Sequence, residues 1–79
     1  MTRRSLLTLT AREYGLLECL AVASGEMVSR AELLARVWSH GGGRRSNLVE
    51  VHLSRLRDKL GADASMIETV RRAGYRLRR

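Results

Sequence analysis

The sequence predicts an α+β domain, mostly α, in which three helices are followed by a two-stranded C-terminal β-hairpin. Three observations predict it. Thr10-Ala11-Arg12-Glu13 and Ser29-Arg30-Ala31-Glu32 both have the S/T-x-x-E form of a capping box, in which a hydroxyl and a glutamate satisfy the orphan N–H groups at a helix start. Val49, Leu53, Leu56 and Leu60 recur at helical spacing and form a narrow apolar stripe. Two β-rich runs, MIETV (66–70) and YRLRR (75–79), flank the Gly-containing link Arg71-Arg72-Ala73-Gly74 and read as a hairpin.

Taken in order, LLTL at 6–9 alternates weakly and is expected to form a short strand, which four residues sustain only with partners. The first helix starts after Thr10, with Leu9 placed as a staple, and runs to about residue 23. Its core face is expected to hold Tyr14, Leu17, Leu20 and Ala21, and Gly25 is expected to end it as a left-handed cap. Gly15 inside this helix costs about 1 kcal/mol relative to Ala, and the sequence offers no reason for it. Met27-Val28 is an apolar bridge long enough for one or two strand pairs. The second helix presents Leu33, Leu34, Val37 and Trp38 to the core and is stopped by Ser39-His40-Gly41-Gly42-Gly43, whose three glycines have no preferred backbone state. The third helix begins near Asn47, with Glu50 three residues on as a capping partner, and closes at Gly61. In the hairpin Ile67, with Val70 as a further candidate, faces the core beside Tyr75 and Leu77, and Arg76 and Arg78 face solvent.

Seventy-nine residues make one domain, 1–79, and there is no internal repeat, proline or low-complexity tract to mark another. No apolar run approaches the ~20 residues of a membrane span, and the start lacks a signal-peptide apolar stretch, so a cytoplasmic location is expected. One cysteine, Cys19, excludes an internal disulfide and a multi-thiolate metal site, and it is read as a buried small hydrophobe. His40 and His52 have no Cys, Asp or Glu at metal-ligand spacing, and no nucleophile motif is present, so neither an enzyme nor a cofactor is expected. The net charge of +7 points to a polyanionic partner. Residues 1–43 carry five Arg and four Glu, whereas residues 44–79 carry nine Arg and one Lys against four carboxylates, which places the functional surface in the second half.

Opposite the apolar stripe, the third helix carries Asn47, Val51, Ser54, Arg55 and Asp58, with Leu48 at the margin. Such a face suits DNA bases: Arg55 can fork onto guanine, Asn47 or Ser54 can donate or accept, and Val51 with Leu48 can pack on thymine methyls. Its flanks carry His52 and Arg57, with Arg45 near the amino end, and these are expected to meet phosphates. The hairpin tip, Arg71 and Arg72 with Thr69 beside it, is expected to enter the adjacent minor groove. An ordinary solvated face and a half-buried, scaffold-bonded His52 are the bland alternatives.

Three helices and a hairpin describe a winged helix-turn-helix, whose third helix enters the major groove with the hairpin wing beside it. The runs LTAREYGLLECL, MVSRAELLARVW, RSNLVEVHLSRLRDKLG and IETVRRAGYRL resemble the DNA-binding effector domain of OmpR/PhoB-type response regulators over roughly residues 7–77. The resemblance implies sequence-specific binding of double-stranded DNA by a transcription regulator, and a dimer on direct-repeat half-sites. It places His52, Arg55 and Arg57 against DNA and adds Trp38 and Tyr75 as phosphate contacts. It also implies an N-terminal four-stranded sheet and a controlling receiver domain. With about nine residues ahead of the first helix, most of that sheet and the receiver are expected to lie outside this chain, as an excised piece or a stand-alone member. Arg72 stands where the family's wing tip often has Gly. The competing function is a protein-interaction module that contacts RNA polymerase through the 39–45 loop, with weak or no DNA reading. RNA binding is disfavoured because the chain lacks an aromatic stacking platform.

Overall fold

The computed structural model describes residues 8–38 and 47–78. The order is α1 (Ala11–Val22), α2 (Arg30–Val37), α3 (Leu48–Leu60), a 3-10 turn (Gly61–Met66), β1 (Ile67–Val70) and β2 (Gly74–Leu77). Three helices and an antiparallel hairpin are thus present as the patterning predicts. Of the strand expected at 6–9, residues 6 and 7 lie outside the described residues, Thr8 is in a turn and Leu9 has no regular structure. Leu9 packs against the core.

The core lies where α1, α2, α3 and the hairpin meet. Val49, Leu53, Leu56 and Leu60 supply the whole buried stripe of α3, facing Leu16 and Leu20 of α1, Leu33 of α2, Trp38, Val28, Ile67 and Tyr75. The α3 stripe has the predicted members because an apolar face 13 residues long leaves little freedom of rotation. On α1 the expected face is corrected. The buried residues are Glu13, Leu16 and Leu20; Leu17 is half-buried, Ala21 is exposed, and Tyr14 is 58% exposed. The helix is rolled so that a carboxylate points inward, a choice that apolar periodicity cannot register. Cys19 is half-buried against the core, and burial pushes its thiol pKa up.

The helix ends follow local chemistry with three departures. Thr10 forms the full capping box: its hydroxyl accepts from the Glu13 N–H at 3.1 Å, and the Glu13 carboxylate accepts from the Thr10 N–H at 2.9 Å. Ser29 accepts from the Glu32 N–H at 3.1 Å, but the Glu32 carboxylate pairs with Arg36 one turn on. Asn47 occupies the start of α3 and makes no side-chain cap bond, because its backbone (φ −115°, ψ 15°) is not the extended one an N-cap needs. The expected partner, Glu50, is engaged elsewhere. At the end of α1, Ala23 is still right-handed, and the chain turns left-handed over two residues, Ser24 and Gly25.

The hairpin pairs Ile67 with Leu77, Glu68 with Arg76, Thr69 with Tyr75 and Val70 with Gly74, so Gly74 belongs to β2 rather than to the link. Ile67 and Tyr75 are buried and Leu77 half-buried on one face; Val70 alternates to the other face, which corrects its expected place in the core. Arg76 and Arg78 are exposed, and Arg76 pairs across the strands with Glu68 at 2.5 Å. The Met27-Val28 bridge does make one strand pair: Val28 and Tyr75 exchange backbone hydrogen bonds of 2.7 and 2.9 Å. Gly74 permits this seat, since a Cβ there would lie 2.2 Å from the Val28 carbonyl oxygen and 2.8 Å from the Ser29 Cα. At the tip the Ala73 N–H bonds to the Val70 carbonyl, and Arg72 takes φ 62° at the turn's third position, where Gly or Asn is usual.

Candidate nucleic-acid interface

The buried stripe of α3 fixes which residues face out. Asn47, Ser54, Arg55 and Asp58 are exposed, Val51 is half-buried, and Leu48 is half-buried at the margin, packed against the core. Arg55 has no hydrogen bond or ion pair among the described residues, so its guanidinium is available to a ligand. The predicted base-reading residues therefore do share the outer side of one helix. Arg45 and the loop 39–45 lie outside the described residues.

Both flanks of α3 are tied to neighbouring elements. On one flank Arg57 reaches the wing, its Nε and Nη2 donating to the Ile67 carbonyl at 3.2 and 2.7 Å and Nη2 also to the Thr69 hydroxyl at 3.0 Å. On the same flank the Glu50 carboxylate accepts from Arg30 Nε at 2.7 Å and from the Tyr75 hydroxyl at 3.2 Å. Burial pushes the Glu50 pKa up, but the hydrogen bond from Arg30, a backbone hydrogen bond, the Arg30 charge and, least, the Tyr75 hydroxyl together outweigh it and hold the carboxyl below its ordinary value. Burial and the adjacent Glu50 carboxylate raise the Tyr75 pKa, so its hydroxyl remains a donor. Arg30, Glu50, Thr69, Arg72 and Tyr75 border one groove of about 330 Å³ between α3 and the wing.

On the other flank His52 is half-buried, with its Nδ1 2.9 Å from the Leu48 carbonyl oxygen and its ring meeting Trp38 edge to face at 5.0 Å. The Arg12 guanidinium sits 5.1 Å from the Trp38 ring centre and donates to the Val37 carbonyl at 3.2 Å. Arg12, Trp38 and His52 thus form a stack linking α1, the end of α2 and α3. At the far end of α3, Lys59 donates to the Glu13 carboxylate at 2.7 Å and to the Thr8 carbonyl at 2.9 Å.

Of the predicted phosphate contacts, then, Trp38, His52, Arg57 and Tyr75 all have internal partners that fix their positions. The wing residues Arg71 and Arg72 are exposed and have no hydrogen bond or ion pair among the described residues, and Thr69 is exposed beside them. Arg12, Arg30 and Glu50 were not singled out for the site. Their signal is weak in a sequence, because Arg30 and Glu50 are 20 residues apart and Arg12 acts on Val37 from 25 residues away.

A family model described as "Transcriptional regulatory protein, C terminal" matches residues 3–77. The chain belongs to that family, the OmpR/PhoB-type effector domains of response regulators. It is 47% identical over 70 residues to the transcriptional regulatory protein CseB of Streptomyces coelicolor, covering 89% of this chain and 29% of CseB. The chain spans about a third of the length of the curated relatives it matches. Among solved structures, the response regulator AdeR DNA-binding domain in complex with an intercistronic region superimposes with a TM-score of 0.78 at 28% identity, over 91% of this chain and 74% of that one. The Klebsiella pneumoniae RstA DNA-binding domain in complex with the RstA box gives 0.77 at 31% identity, over 90% and 73%. The fold is accordingly a winged helix of the response-regulator type, and the family is one of transcription regulators rather than enzymes.

Proposed function

We propose that this domain binds double-stranded DNA sequence-specifically, with α3 in the major groove and the wing at the adjacent minor groove. The observation that carries the reading is the pairing of Arg57 and Glu50 with the wing and α2, which fixes the wing against α3 while Arg55 on the outer face and Arg71 and Arg72 at the wing tip have no partner among the described residues. In this reading Asn47, Leu48, Val51, Ser54 and Arg55 meet base edges. Trp38, Arg45, His52, Arg57 and Tyr75 meet phosphates, and Thr69, Arg71 and Arg72 lie at the minor groove. The AdeR and RstA domains, solved with DNA, support the same use of the fold. Two copies on direct-repeat half-sites, control by a receiver domain, contact with RNA polymerase through the 39–45 loop and a cytoplasmic location complete the proposal. Among the described residues no helix is long and apolar enough to cross a membrane.

Binding to duplexes from a random pool tests it. About five to seven neutralised phosphates give a log-affinity against log-salt slope of roughly −5 to −6. Arg55→Ala is expected to lose about 1–3 kcal/mol of binding and to relax selection at one base position. A flat salt dependence, or a chain that selects no sequence from the pool, would favour the protein-interaction alternative; an Arg55→Ala chain that binds and selects as the parent does would remove Arg55 from the base-contacting set.

A further inference from the structure

His52 is the proposed phosphate contact whose donor atom the fold decides. Its Nδ1 lies 2.9 Å from the Leu48 carbonyl oxygen, and a carbonyl oxygen can only accept, so Nδ1 carries a proton. Trp38 packs edge to face on the ring at an interplanar angle of 77°, which together with the Nδ1 bond fixes the imidazole. Nε2 has no hydrogen-bond partner among the described residues. In the neutral ring Nε2 therefore presents a lone pair, which repels a phosphate oxygen; only the doubly protonated ring offers an N–H at that atom.

We propose that DNA binding by this chain takes up one proton at His52 Nε2, so that the imidazolium and not the imidazole makes the phosphate contact. The inference rests on the DNA-binding reading above. Among the described residues, the charges on the elements around His52 are Arg12 of α1, which sits over Trp38, Arg55 and Lys59 of α3 itself, and Glu13 of α1, which is paired to Lys59; Trp38, just past the end of α2, is uncharged. In that set the one carboxylate, Glu13, is already bound by Lys59. The counter-charge for an imidazolium is then the phosphate, and the proton comes from solvent as the contact forms.

Two measurements on the intact chain with mixed-sequence duplex DNA at low salt test this. Nitrogen-15 spectra of the two histidines are expected to show a neutral, Nδ1-protonated His52 ring in the free protein at pH 8 and a doubly protonated one in the complex at pH 7. Affinity is expected to rise as pH falls from 8 to 6, by up to about tenfold per pH unit per bound copy, and His52→Gln, an uncharged donor, is expected to flatten that profile. A neutral His52 ring in the complex, or a profile that His52→Gln leaves intact, overturns the inference while DNA binding stands. No duplex binding at any pH overturns both.

Discussion

Two glutamates tie α3 to the rest of the domain, one at each end, and they do different work because one is dry and the other wet. Glu13 is 1% exposed and holds Lys59 while completing the Thr10 capping box, so one carboxylate serves helix start and helix packing together. Glu50 keeps 43% of its side chain exposed at the mouth of the groove, between Arg30 and Tyr75. A buried charge cannot lose its partner cheaply, whereas a solvated one exchanges its partner for water at little cost. The end of α3 away from the groove is therefore fixed by electrostatics, and the end beside the wing is only guided by it.

The comparison breaks most sharply at Lys59. Lys59→Met leaves the Glu13 carboxylate buried with its backbone cap alone, and about 3 kcal/mol of stability should be lost at pH 7 in urea unfolding. The loss should shrink toward pH 4, since without Lys59 burial dominates and raises the Glu13 pKa, so that protonation relieves the stranded charge.

In the parent chain the pH dependence has the opposite sign. Burial raises the Glu13 pKa, but the Lys59 and Thr10 hydrogen bonds outweigh it, so the folded value lies below the ordinary 4.5. The folded state then binds fewer protons than the unfolded one, and this stabilisation is complete above pH 4.5 and lost as pH falls through the lowered value. Acid unfolding of the two chains side by side shows the inversion; parallel curves would refute the assigned role of Lys59.

The smallest effect belongs to the wet glutamate. Glu50→Gln should cost less than about 1 kcal/mol and less again at high salt, because Arg30 and Tyr75 keep a neutral acceptor and solvent screens the lost charge. A cost equal to that of Lys59→Met would erase the distinction between the two ends.

These links also mark the limit of reading the sequence. The α3 stripe was legible because Val49, Leu53, Leu56 and Leu60 leave one way to face a core, and the hairpin because β-rich runs flank a turn. Tyr14 was misplaced and Glu13 half-understood for the same reason: Lys59, 46 residues away, draws the carboxylate inward and rolls α1. The Glu13 capping box was legible; its second use was not. Likewise Glu50 had the spacing of a cap for Asn47 and answers instead to Arg30 and Tyr75. Gly15 gains a neighbour but no strict need, since a Cβ there would meet Val37 at an ordinary 3.5 Å. The outer face of α3 followed directly from its inner face, and so the predicted base-reading set emerged together. The half-buried, scaffold-bonded His52 was legible as an alternative, and its bond to Leu48 is local to α3; the ties of Arg57 and Tyr75 were not legible, because each joins residues from separate elements.

The single bridge at Val28 has a consequence for how the wing meets other chains. A two-stranded hairpin exposes two edges, each able to recruit a foreign strand. On the β2 edge, the Tyr75 N–H and carbonyl are both taken by Val28. Antiparallel pairing alternates, so Ile67, two pairs along, points its own backbone groups away from β2. There its N–H bonds to the Ala64 carbonyl and its carbonyl accepts the Arg57 fork. Both margins of the hairpin are blunted near its base, one by a passing backbone and the other by a side chain, and a strand arriving from another molecule finds those positions already filled.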